Sequence, residues 1–139
     1  MTIKKLLNII LISLLILCIL TACQQKDIYM LPNESYFSHF SIDNNKVYMF
    51  CNLTIKNPTQ KTKKIKIEAD FTDDEKNGLL KEGKLIGYSV LNDCDYFIAS
   101  KGKNNIEVVF IGEYGGNNQK TNRLLPDIKI VELDNKNID

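Results

Sequence analysis

Val47-Tyr48-Met49-Phe50-Cys51-Asn52-Leu53-Thr54-Ile55 and, after a short polar break, Lys64-Ile65-Lys66-Ile67-Glu68-Ala69-Asp70-Phe71 both alternate with a period of two residues. In the first run Val47, Met49, Cys51, Leu53 and Ile55 share one face, and Tyr48, Asn52 and Thr54 share the other with Phe50. In the second, Ile65, Ile67, Ala69 and Phe71 oppose Lys64, Lys66, Glu68 and Asp70. Successive side chains of a pleated strand point to opposite faces, so each run predicts a half-buried strand with a wet outer side. The break between them contains Asn57-Pro58-Thr59-Gln60, a turn by composition.

The same period extends outward along the chain. An earlier strand is expected over Tyr36 to Ile42, joined to the next through Asp43-Asn44-Asn45-Lys46, where asparagine tolerates positive φ at low cost. Downstream the pattern returns in Leu85 to Leu91, Tyr96 to Ala99, Asn105 to Ile111 and Asp127 to Leu133. About seven strands at short spacing predict an all-β fold, a single antiparallel sandwich or barrel. A helix fits only around Asp73 to Glu82, and Asn77-Gly78 in its middle favours a hairpin bend instead.

Composition narrows the classes. The chain has 139 residues, room for one domain, and 44% of them are hydrophobic, too many for a disordered polymer. Lys and Arg number 18 against 17 acids, a formal charge of +1, which argues against a nucleic-acid partner because such proteins need a strongly basic face. There is no internal repeat and no low-complexity tract.

The N-terminus has a separate logic. Lys4 and Lys5 precede the apolar run Leu6 to Leu20, which is shorter than the ~20 residues a helix needs to span a bilayer and reads as a secretory leader. It ends in Leu20-Thr21-Ala22-Cys23, which resembles the lipobox of bacterial lipoproteins. The resemblance implies cleavage between Ala22 and Cys23 and a diacylglyceryl thioether on Cys23. Two acyl chains suffice for stable membrane attachment. The expected organisation is a leader helix at 1–22, a lipidated N-terminus and flexible tether at 23–34, and a domain at 35–139. That domain would sit on the outward face of the cytoplasmic membrane. Cleavage removes two lysines and no acid, leaving a formal charge of −1 and no electrostatic partner.

Val47 to Thr59 followed by Ile65 to Asp70 resembles the opening strands of small Ig-like exported bacterial domains of the FxLYD and telokin-like kind, in which a strand ends at an Asn before a short polar turn. Ala99-Ser100-Lys101-Gly102-Lys103 before Ile106 to Phe110 resembles the turn and strand that close them; the FxLYD string itself does not occur. The resemblance implies an Ig-like sandwich and no particular activity.

Of the four cysteines, Cys18 leaves with the leader and Cys23 takes lipid, so Cys51 and Cys94 remain as an even pair in an oxidising compartment. They are a candidate disulfide, the alternative being two buried thiols packed as small apolar groups. His39, the single imidazole, has no nucleophile or metal-ligand spacing near it and, in a regular strand, would share a face with Phe37 and Ser41. A calcium loop counted from Asp73 would place Glu75, Asn77 and Gly78 suitably, but its twelfth position falls on Lys84 where a bidentate Glu is required. Lys56, Lys61, Lys63, Lys64 and Lys66 form a run without an acid, suited to anionic head groups or to keeping an edge strand soluble. Gly112 to Gln119 is a glycine- and asparagine-rich loop that lacks the Gly-Lys-Ser/Thr of a phosphate cradle.

No catalytic, cofactor or metal constellation is expected from this inventory. The leading expectation is a non-catalytic binding module held at the membrane, with a protein or cell-envelope partner and end loops as contacts. The alternative is a protective protein of the immunity or inhibitor kind, acting at the envelope against a toxin, phage or hydrolase; an enzyme ranks third.

Overall fold

The computed structural model describes residues 27–118 and 123–133, together with helical positions 3–5, 8, 10, 12 and 13. The strands are β1 (Tyr29–Met30), β2 (Tyr36–Asp43), β3 (Lys46–Asn57), β4 (Lys63–Asp70), β5 (Lys84–Ser89), β6 (Phe97–Ala99), β7 (Gly102–Glu113) and β8 (Asp127–Leu133). Every strand read from the periodicity is present, and every pairing is antiparallel. The predicted faces of β3 and β4 hold. Val47, Met49, Cys51, Leu53 and Ile55 are buried, as are Ile65, Ile67 and Ala69, with Phe71 just beyond the end of β4.

Two layers form because β5 belongs to both. Its first half, Lys84–Ile86, pairs with β4, and its second half, Gly87–Ser89, pairs with Val108–Phe110 of β7. One layer is therefore β1 and β2 beside β3, then β7 and the end of β5; the other is β8, β4, β6 and the start of β5. The curled eight-stranded sheet is an all-β antiparallel sandwich. Gly87 sits at the crossing, where a Cβ would fall 2.5 Å from the Val108 side chain and 3.3 Å from the Ile67 carbonyl oxygen, so no larger residue fits between the layers. Phe71 meets Phe110 edge to face across them, with centroids 5.4 Å apart.

The β2–β3 hairpin turns where expected. Asn44 and Asn45 have φ of 47° and 62°, the pair of positive values that matches a two-residue turn to strand twist. Elsewhere the structure departs from the sequence reading. The domain begins before residue 35: Ile28 is buried, Tyr29 and Met30 pair with Lys56 and Ile55, and Pro32–Glu34 makes a 3-10 turn. The expected tether over 23–34 thus shrinks from its C-terminal end, because Ile28 and Met30 supply apolar surface that the polar composition around them hid.

The hairpin bend expected at Asp73 to Glu82 is replaced by a single helical turn, α1 (Thr72–Lys76), ended by Gly78 at φ 78°. Gly112 to Asn118 is no free loop. Tyr114 bridges to Leu80, the Gly115 N–H donates to the Leu79 carbonyl (2.8 Å), and the Asn117 N–H donates to the Gly78 carbonyl (3.1 Å). A Cβ on Gly115 would stand 2.3 Å from the Gly78 oxygen, so glycine is required for that approach.

Candidate functional site

The outer face of the β2–β3–β7–β5 layer is read rung by rung from the register. Tyr48 faces Ile111 with Ser41 beside it; next, His39, Phe50, Val109 and Tyr88 line up across all four strands. Below them come Tyr36, Asn52 and Glu107, then Thr54 and Asn105, then Lys56 and Lys103; above them Lys46 faces Glu113. Two apolar and aromatic rungs are therefore framed at both ends by polar ones. Protein interfaces also combine an apolar centre with a polar rim. Outward faces of antiparallel sheets are ordinarily polar. Ile86, on the same side of β5 as Tyr88, is 43% exposed, and Tyr36 is 57% exposed.

A bulge positions part of this surface. The β2 register shifts between Phe37 and His39, so Phe37 turns towards the core opposite Cys51 while Tyr36 and His39 face outward. His39 therefore does not share a face with Phe37, as regular alternation would require. One extra residue, Ser38, resets the period. The imidazole stacks on Phe50 with centroids 4.4 Å apart, and Ser38 Oγ lies 3.0 Å from Nδ1. Among the described residues no carboxylate hydrogen-bonds the ring, and no three His, Cys, Asp or Glu side chains converge on a metal position.

Cys51 and Cys94 are both free. Cys51 opposes Val108, Val108 opposes Ser89, and the Ser89 N–H donates to the Cys94 carbonyl at 2.8 Å. Strands β7 and β5 thus stand between the two cysteines, each spacing being ~4.8 Å, whereas a disulfide needs Cα atoms within ~7 Å. The candidate bridge is corrected accordingly. Burial pushes the Cys51 thiol up to about 12, and the Cys94 thiol donates to the Tyr96 carbonyl at 3.3 Å. Of these two, a maleimide should therefore modify only Cys94 in native protein. Cys51 should react only in denaturant, with no reductant needed, as mass spectrometry of the labelled chain would read directly.

The lysine run is neutralised only in part. Lys66 pairs with Asp95 at 2.7 Å, Lys63 with Glu132 at 3.3 Å, and Lys64 lies 3.9 Å above the Tyr96 ring. Nor does it guard an edge, since β4 is flanked by β8 on one side and by β5 and β6 on the other. The Lys66 hydrogen bond holds Asp95 below the usual carboxylate range; hydrogen bonds from Lys84 and Thr72 hold Asp70 well below it, and Lys81 lowers Glu113. All three shifts favour the charged acid, opposite to the upward shift a general acid needs.

Sequence reasoning missed Arg123. Its guanidinium bonds to Asp74 of α1 and lies 4.7 Å from the Phe40 ring, closing the open side of the sandwich between β2 and β8. No local pattern marks it, because α1 and β2 are both distant in sequence. Cys23, like the rest of the lipobox Leu20–Cys23, lies outside the described residues.

Fold and surface define a small antiparallel β-sandwich with one apolar sheet face. Compared with protein-family models, curated proteins and solved structures, the chain matches none of them.

Proposed function

We propose that this chain is a bacterial lipoprotein, anchored through a diacylglyceryl group on Cys23, whose Ig-like domain is a non-catalytic binding module on the outward face of the membrane. The anchor is supported by Lys4 and Lys5, the apolar run and Leu20-Thr21-Ala22-Cys23 together. Binding is supported by one observation above all: the rung His39–Phe50–Val109–Tyr88 with its Tyr48–Ile111 neighbour, apolar on an outer sheet face where His39 is exposed and Tyr48, Phe50 and Tyr88 are half-buried. Aromatic side chains offer large contact area at low entropic cost, and they are enriched in the centres of protein interfaces. The partner is accordingly a protein.

Two experiments test the two halves. Cys23→Ala should abolish incorporation of labelled acyl chains and leave the detergent phase empty of mature protein; acylation of that variant would refute the anchor. A photo-crosslinking residue placed at Tyr88 or Tyr48 in producing cells should give a discrete protein adduct absent from a control at Lys129, which lies on the outer face of the other layer. Equal adducts at all positions, or none at the two tyrosines, would refute the binding face.

A further inference from the structure

Among the described residues, charge is distributed unevenly along the sandwich. The chain joins the domain at Ile28, beside the end of β3, because Tyr29 pairs with Lys56. At this end lie the β3–β4 turn with Lys61, the β6–β7 turn with Lys101, and the directly facing pair Lys56 and Lys103. Glu34 holds Lys103 at 2.5 Å and Glu132 holds Lys63 at 3.3 Å. Among the described residues no carboxylate pairs with Lys56, Lys61 or Lys101, and Asp27 stands against them.

The opposite end has the reverse balance. There Lys84, Lys81 and Arg123 are bound to Asp70, Glu113 and Asp74. Among the described residues no cation pairs with Asp43, Asp73, Glu75, Glu82 or Asp127, against Lys46 and Lys76. The basic pole is the one from which the N-terminal chain departs, and the acidic pole is the far one.

We propose that the basic pole docks on anionic phospholipid headgroups, so that the domain stands on the membrane with the β3–β4 and β6–β7 turns down and α1 outward. The proposal deepens the anchored reading and rests on it for the tether that brings this pole to the surface. Lysines within a Debye length of an anionic surface are attracted and the distal carboxylates repelled, which orients the sandwich. Lys56 and Lys103 directly opposite each other repel, and neighbouring lipid phosphates relieve that repulsion. In this pose the strands run away from the bilayer, and the apolar rungs of Phe50 and Tyr48 face sideways, clear of lipid and open to a partner.

The test uses the mature chain extracted from membranes and reconstituted on vesicles of phosphatidylcholine alone or with phosphatidylglycerol. A membrane-impermeant amine reagent is applied, and each lysine is quantified by mass spectrometry. With phosphatidylglycerol at low salt, Lys56, Lys61 and Lys101 should react about fivefold more slowly than on phosphatidylcholine, while Lys46 and Lys76 do not change. High salt should erase the difference. Equal rates on both vesicles, or protection of Lys46 and Lys76 instead, would overturn the docking and leave the anchor standing. A chain that floats only with phosphatidylglycerol vesicles and shows the same protection would support the docking and remove the anchor; one that floats with neither would overturn both.

Discussion

Phe110→Ala should cost about 3–5 kcal/mol of folding stability, the range for deleting a fully buried aromatic ring. Phe110 has no solvent exposure, opposes Met49 on β3, and receives the edge of Phe71 from the other layer. Removing it takes away the aromatic contact that spans both layers at the level where β5 crosses between them. The surrounding groups cannot collapse into the void, because Gly87, its register partner on β5, has no side chain to move inward. Domains of this size have stabilities of about 5–15 kcal/mol, so the variant approaches the unfolding threshold. Its thermal midpoint should fall by more than ~10 °C. Phe110→Leu, which keeps most of the volume, should cost much less. A loss under ~1 kcal/mol for the alanine variant would mean that the two layers do not share this core.

Asn57→Ala should cost about 2–4 kcal/mol although it removes no apolar surface. Asn57 is completely buried. Its Nδ2 donates to the Lys61 carbonyl at 2.9 Å and to the Ala99 carbonyl at 2.8 Å, while its Oδ1 accepts from the Thr59 N–H at 3.0 Å and the Thr59 hydroxyl at 2.7 Å. One side chain thus closes the β3–β4 turn and ties it to the end of β6, and alanine would remove all four bonds, the buried one to the Ala99 carbonyl included. Asn57→Asp sharpens the test. A carboxylate there would point at two carbonyl oxygens, so the folded state favours the protonated form and raises its pKa. Stability from a raised folded pKa is present below the unfolded value of ~3.9 and lost as pH rises through the folded one. Relative to the wild type, the aspartate variant should therefore be more destabilised at pH 7 than at pH 4. Urea midpoints at the two values measure this, and equal losses at both would rule out the arrangement of donors described.

Much of this fold was readable because a strand's period is local. Whether Val47 to Ile55 alternates depends only on those residues, and the pleat converts alternation into faces with no knowledge of the partner. The turn at Asn44-Asn45 was legible for the same reason, since asparagine's tolerance of positive φ belongs to the residue. The strand-ending Asn57 was visible as punctuation, but its hydrogen bond to the Ala99 carbonyl was not, because Ala99 is remote in sequence.

The sequence by itself determined the strands and the inward and outward faces of β3 and β4. Only the tertiary structure decided which strands meet. It made β5 the shared corner, placed two strands between Cys51 and Cys94, and paired Lys63 and Lys66 with acids from β8 and the loop before β6. Through the Ser38 bulge it turned Phe37 inward and His39 onto Phe50, assembling an apolar row from four strands. Period-two alternation is a property of one chain segment, whereas pairing, burial of a thiol and the balance of charge at a pole are sums over segments far apart in sequence, fixed only when the layers close on a common core.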